Sequence, residues 1–244
     1  MKEANRAPTR FPLRMVAIIG FFVVQTVSAL VPMQTYAQQS EAEVSVAEGV
    51  LAYEQKRYSE ALPFFVRGAE QDPLNVRAQY YTGLTYLALK QPEQAIAPLE
   101  KARQLRPTGR DISFQLGVAY FSIKAYDKAG PLLEEVYQQT PDRENLGYYT
   151  GLTRYQDQHY SEAVDAFNTN VATDSNFQQL TRFYRGLALG VLGLTQEAAS
   201  ELEAVQRIQA VSPLTAASVR IRDELMAARR VTESKRFRAQ ISVG

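Results

Sequence analysis

Four glycines in this chain, Gly49, Gly83, Gly117 and Gly151, stand 34 residues apart, and four alanines, Ala61, Ala95, Ala129 and Ala163, follow them at a constant offset of twelve. Pro73, Pro107 and Pro141 keep the same 34-residue spacing, and a fifth copy, Gly186 with Ala198, comes one residue late. Three residue types locked in one register mark a repeated unit, and a unit this short cannot bury its apolar side alone. Within a copy the apolar residues fall at helical intervals. Leu84, Leu87 and Ala88 form one stripe over 76–89, and Ile96, Leu99 and Ala102 form another on the following segment. Each copy therefore reads as a pair of amphipathic helices, with Gly83 and Ala95 small enough to let the two backbones approach.

The pattern resembles the tetratricopeptide repeat family over about Ala42 to Ser212. Glycine falls where that family's first helix meets its partner, alanine early in the second helix, and proline at the close of the unit. Tyr86 and Tyr120 match the aromatic position three residues after the glycine; Tyr58, Tyr126 and Tyr160 match the one just before the second helix. The family's tryptophan at position four is missing, Ser175 replaces the closing proline of copy four, and in copy five that proline slips to Pro213. The resemblance implies an all-α solenoid of about five helical hairpins over 42–75, 76–109, 110–143, 144–177 and 178–212. Pro63, Pro98 and Pro131 lie inside the second helices, where an interior proline costs on the order of 3 kcal/mol. Their matching places indicate a tolerated position close to the helix entry.

Ser212-Pro213 reads as an N-cap followed by proline at the first helical position. It predicts a capping helix over 213–231 carrying Leu214, Val219, Ile221, Leu225 and Met226, with Arg222, Arg229 and Arg230 toward its carboxyl end. From Arg236 to Val243 the residues alternate with period two, so the tail 232–244 is a possible strand. Such a strand either adds to a partner's sheet edge or begins a following β-structure; the alternative is a disordered tail. The second arrangement is similar to bacterial envelope proteins that place a tetratricopeptide domain before an outer-membrane barrel, as in surface lipoprotein assembly modifiers and exopolysaccharide export porins.

Residues 1–37 have the order of a secretory signal peptide. A basic stretch ending at Arg14 precedes the apolar run Met15–Val24, and Thr35-Tyr36-Ala37 stands before the polar Gln38, with 38–41 as a short linker. Cleavage after Ala37 exports the remainder to the periplasm or cell envelope. Without cleavage the same segment anchors the chain at the inner membrane, and the remainder is again outside the cytoplasm.

Composition narrows the function classes. The chain has no Cys and one His, which removes thiolate ligands, thiol nucleophiles and paired-histidine zinc motifs. His159 reads as an exposed turn residue. Glu134-Glu135 and Asp223-Glu224 are neighbours on helices, where adjacent side chains diverge, and they read as solvated surface. Gly186, Gly190 and Gly193 lack the strand and the Lys-Ser/Thr of a phosphate loop. Residues 38–219 carry a net charge of −6 and residues 220–244 one of +4, which is no footprint for nucleic acid. No catalytic, metal or cofactor site is expected.

Binding is the remaining class. In the family's geometry, positions five, nine and twelve of each first helix line the concave side, and Leu84 is the position-nine residue of the expected groove. Position five holds Val46, Tyr80, Phe114, Tyr148 and Phe183; position twelve holds Tyr53, Leu87, Phe121 and Tyr155. These side chains serve either as core between repeats or as an aromatic ledge for an extended peptide, a partner helix or sugar rings. The clamp by which some family members hold a peptide's terminal carboxylate is not matched, because Arg77 is accompanied by Tyr80 and Leu84 where polar groups are required. The expected partner is a protein or peptide, with glycan, or association with the outer membrane or a barrel protein, as further candidates.

Overall fold

The computed structural model describes residues 39–241, and the predicted signal peptide lies outside them. Eleven helices occur among the described residues. They are α1 (39–54), α2 (Tyr58–Gln71), α3 (Val76–Ala88), α4 (Pro92–Leu105), α5 (Arg110–Ser122), α6 (Tyr126–Tyr137), α7 (Leu146–Gln156), α8 (Tyr160–Asn168), α9 (Ser175–Val191), α10 (Thr195–Ile208) and α11 (Pro213–Ile241). The expected all-α architecture of helical hairpins followed by a closing helix is the one adopted. Two compact units divide at Ala78 and Gln79.

The ruler glycines act by what faces them. A methyl group on Gly117 would stand 2.9 Å from the Leu133 side chain, one on Gly151 2.6 Å from the Phe167 ring, and one on Gly186 2.9 Å from Leu202. Gly83 sits against Leu99 in the same way, and in the first unit Gly49 lies 2.7 Å from the Phe65 ring by that measure. The facing residue comes sixteen positions after its glycine every time, and all five are essentially inaccessible to solvent. A branched or aromatic knob of the second helix thus fills the seat left by a missing side chain on the first. The ruler alanines are all fully buried beside it.

The turn between the two helices of each hairpin repeats just as regularly. Lys56, Lys90, Lys124 and Gln158 have φ of 59°, 62°, 62° and 65°, and Gly193 has 77°. This is the left-handed ending that usually takes glycine, and a side chain there costs roughly 1 kcal/mol. The three lysines at least place a cation beside the carboxyl end of the preceding helix.

The prolines depart from the entry position expected. Pro63, Pro98 and Pro131 are the sixth, seventh and sixth residues of α2, α4 and α6, one turn deeper than the free amides of the first turn. Each removes one hydrogen bond, from Ser59, Gln94 and Asp127 respectively. Those three residues are exposed, so water replaces the lost donor and the helices run on unbroken.

In the first unit α1 and α2 pack as one hairpin. Val46 is fully buried, and Tyr53 lies edge-on to Tyr58 and Phe65 at 5.1 and 6.4 Å. Helix α1 begins at residue 39, so most of the expected linker is helical.

In the second unit successive helices from α4 to α11 lie against one another, and α5 also meets α7, α7 meets α9, and α9 meets α11. The first helices of the hairpins therefore form one continuous layer, and α11 takes the place of a further first helix. Ser212 caps it as predicted, its hydroxyl accepting from the Thr215 amide at 3.0 Å. Gln179, 3% exposed, fastens the seat by donating to the Val205 carbonyl at 3.1 Å and the Thr215 hydroxyl at 3.1 Å.

Two expectations are corrected here. Helix α11 has 29 residues and ends at Ile241 instead of Val231, and residues 232–241 are helical where a possible strand was read, while 242–244 lie outside the described residues. A strand needs a neighbour to receive its amides, whereas an established helix extends with every added bond made internally. The argument for a following β-structure loses its residues. The neighbouring carboxylates Glu134 and Glu135 are also not simply solvated. They diverge as adjacent helical residues must, Glu134 to Arg154 on α7 at 2.9 Å and Glu135 to Arg103 on α4 at 2.7 Å. One helix is thereby tied to the hairpin on either side, at a gain of no more than about 1 kcal/mol per half-exposed pair. Among the described residues no helix is long and apolar enough to cross a membrane.

Gly147, outside the ruler, is seated against backbone. An added methyl group would lie 2.7 Å from the Asn170 Cα and would also strike the Ala166 carbonyl. Backbone cannot rotate away as the Leu133 side chain opposite Gly117 can. Gly147→Ala is therefore expected to destabilise by about 1–3 kcal/mol, and Gly117→Ala by less, because alanine's helix preference of roughly 1 kcal/mol offsets its crowding. Urea melts of the two variants check that order.

Candidate functional site

The first-helix layer of the second unit carries a continuous field of aromatic rings. Phe121 on α5 is its centre, with ring centroids 5.4 Å from Tyr126, 5.9 Å from Tyr148 and 4.9 Å from Tyr149. Phe177 at the start of α9 joins Tyr148 and Tyr149 at 5.4 and 5.7 Å. Farther along, Tyr155 meets Tyr160 at 5.3 Å and Tyr184 at 6.0 Å, and Tyr184 meets Phe183 at 5.4 Å. These pairs stand edge to face, the geometry that ring quadrupoles favour.

The expected groove residues divide into two roles. Phe114, Tyr148 and Phe183 are 8%, 6% and 8% exposed, so position five is a floor set into the core. Phe121 and Tyr155 at position twelve are half-buried and form the surface with the rings around them. Leu87 and Tyr80 are half-buried and pack against the core around Leu99 and Leu133; Leu84 is half-buried as well. Tyr53 belongs to the hairpin of the first unit. Position five of the later copies is thus core, and position twelve is partly covered surface.

Tyr149, Phe177 and Tyr184 were not anticipated. The signal for Tyr149 and Tyr184 was present as aromatic doublets, Tyr80-Tyr81, Tyr148-Tyr149 and Phe183-Tyr184, which fall in register with the repeats, whereas Phe177 stands in no doublet. The first member of each later doublet is turned inward, and the second is left half-exposed beside it.

Between α5 and α7 the rings border a cleft of about 400 Å³ lined by Phe114, Val118, Asn145, Tyr149 and Phe177, among others. Arg143 at its edge stacks over the Phe114 ring at 4.2 Å and pairs with Asp111 at 2.7 Å, so its charge is already engaged. The Asn145 side-chain oxygen is buried there without a hydrogen-bond partner among the described residues.

Burial raises the phenol pKa values. Tyr148 is shifted upward by desolvation and then by its tyrosine neighbours; Tyr149 is pushed up to about 12 by desolvation; Tyr155 and Tyr184 also move up, with desolvation the larger cause. All four stay neutral and able to donate across the physiological range. His159 is exposed, 3.5 Å from Glu162, and among the described residues no group of His, Asp and Glu is gathered that could hold a metal.

A phenol whose pKa is higher folded than unfolded supports the fold fully below the unfolded value of 10 and loses that support as the pH climbs through the folded value. For Tyr149 the window is about pH 10 to 12. Alkaline titration followed by phenolate absorbance and circular dichroism should show helix loss in that window, and Tyr149→Phe should make the loss smaller.

Comparison with known proteins places this architecture. The tetratricopeptide repeat family model matches residues 46–110. Among solved structures, YrrB, described as a tetratricopeptide protein with an unusual peptide-binding site, aligns with TM-score 0.61 and 16% identity over 72% of this chain and 90% of its own. MamA of AMB-1 aligns with TM-score 0.60 and 19% identity over 71% of this chain and 99% of its own. MamA from Desulfovibrio magneticus RS-1 gives 0.58 and 19% over 69% and 95%. At such identities the likeness is one of fold. No curated protein sequence matches this chain.

Proposed function

We propose that this tetratricopeptide-repeat scaffold takes up a segment of a partner protein on the aromatic face of its second unit and performs no catalysis of its own. The observation that carries the reading is the field of half-buried rings around Phe121, Tyr149, Tyr155 and Tyr184, laid on a floor of buried Phe114, Tyr148 and Phe183. Rings held by a packed floor lose little freedom on binding, and tyrosine brings large area with a polar tip. The peptide-binding site ascribed to YrrB, a protein of similar fold, is consistent with it. Peptides selected by display against the full chain should bind it, and Tyr149→Ala with Tyr184→Ala should weaken them at least tenfold while the helical dichroism is kept. Selected peptides that bind the double variant as well as the parent would remove this face from the function.

We further propose that the scaffold works in the cell envelope. The basis is the order of residues 1–37, a basic start, an apolar run from Met15 and a small residue at Ala37. Expressed from its full sequence in a Gram-negative host, the protein should be recovered outside the cytoplasm with Gln38 at its amino terminus. Recovery in the cytoplasm with residues 1–37 intact would overturn the assignment.

A further inference from the structure

We propose that one end of the second unit, formed by the α9–α10 turn and the last turns of α11, is a docking surface for a membrane of anionic phospholipid. The turn is the apolar half of it. Val191, Leu192 and Leu194 are 55%, 42% and 43% exposed, aliphatic side chains gathered around the bend at Gly193. The same three places around the left-handed residue hold Glu54, Gln55 and Arg57 in the first hairpin and Gln156, Asp157 and His159 in the fourth. In the second and third hairpins the aliphatic residues there, Leu89 and Ile123, are half-buried. Among the described hairpin turns, the fifth alone presents large apolar groups to solvent on both sides of its bend.

The helix supplies the charged half. Leu225 of α11 faces Gly190 near the end of α9, 3.4 Å from where a methyl group on that glycine would stand. Helix α11 then runs past the turn for about three further turns. Turn and helix border a cleft of about 480 Å³ lined by Leu194, Glu197, Arg229, Thr232 and Arg236, among others. From Arg230 to Gln240 every described side chain is exposed, Val231 at 53% among them. Residues 229–241 contain Arg229, Arg230, Lys235, Arg236 and Arg238 against Glu233 alone. Glu233 is taken by Arg229 at 2.7 Å, while Lys235, Arg236 and Arg238 make no ion pair among the described residues. The fold thus brings exposed aliphatic side chains and unpaired cations, far apart in the chain, to one place.

Aliphatic groups carried on a protruding turn suit a surface that yields to them. A protein partner needs a preformed pocket for each, and the anchors of such interfaces are mostly Trp, Tyr and Arg. The boundary between headgroups and acyl chains takes up small aliphatic groups without a matching pocket. Lysine and arginine beside them can lay their stems on the apolar layer and reach the phosphates with their charge. The outer part of α11 is too charged to sink below the headgroups, so it lies among them while Leu192 and Leu194 enter. Charge also sets the orientation. Residues 38–219 carry −6 and are repelled by an anionic surface, which leaves this end to lead. The surface shares no residue with the aromatic face, so either stands without the other.

The test uses the full chain with vesicles of phosphatidylglycerol or of phosphatidylcholine. Because the chain has no Cys, Leu192→Cys gives a single attachment point for a fluorescent probe, and Leu74→Cys in the first unit gives a control. On phosphatidylglycerol with brominated acyl chains the probe at position 192 should be quenched and the one at position 74 should not; on phosphatidylcholine neither should be. Added salt should weaken the quenching. Lys235→Gln with Arg236→Gln and Arg238→Gln should raise the lipid concentration needed for it at least about tenfold, and Val191→Ser with Leu194→Ser should reduce it as well. These side chains are exposed, so all variants should melt with the parent. No quenching at position 192 on anionic vesicles, equal quenching on neutral ones, or indifference to the Gln variant overturns the inference. A probe at position 192 that responds to polyglutamate and to no vesicle assigns the surface to an acidic polypeptide, and the membrane reading falls.

Discussion

One contact recurs in each hairpin of this protein: a glycine on the first helix receives the Leu or Phe that stands sixteen residues later on the second. Removing a side chain on one helix lets a large one on its partner settle at backbone depth, so the two axes come close and dispersion contacts are made on every side of the knob. In the second unit the pair still has an uncovered apolar flank, which the next hairpin covers. Stability in such a stack is held between neighbours. The last hairpin needs a final cover, which is why α11 lies where another first helix would. Its seat is partly polar, with Gln179 bonding to two elements at once.

Polar groups set register within this apolar scheme. Glu134 and Glu135 point to opposite neighbours because adjacent helical residues diverge by about 100°, and the result is a tie from α6 to the hairpin before it and the one after. Arg154 does more than pair with Glu134. It lies over the Tyr137 ring at 4.8 Å and donates to the Glu162 carbonyl at 2.9 Å, joining α6, α7 and α8. Partial exposure limits the energy of such pairs, but their geometry opposes sliding of one hairpin on the next. The left-handed lysines carry a local cost at each turn, and the packing of the two helices they join outweighs it.

The aromatic face follows from the same construction. Position five of each later first helix is drawn into the core, and the neighbouring position six is left half-covered at the surface. A floor of Phe114, Tyr148 and Phe183 then supports Phe121, Tyr149 and Tyr184, whose ring orientations are set by edge-to-face contact. The same burial that raises the phenol pKa values keeps the hydroxyls as donors. The result is a surface rich in rings and poor in charge.

The sequence by itself determined the repeat, the pairing of helices and the position of the closing helix, because a 34-residue register of Gly and Ala has one physical use: bringing two helices close in every copy. It also located the aromatic stripe through Phe114, Tyr148 and Phe183. Which rings of that stripe are floor and which are surface was decided only by the tertiary structure, since burial depends on what the next hairpin covers and not on the intervals within one. Tyr149 and Tyr184 were therefore missed although their doublets were in plain view. The tail shows the converse case. Alternation from Arg236 to Val243 has the period of a strand, yet a strand is defined by a partner's hydrogen bonds, and a helix already running from Pro213 supplies its own.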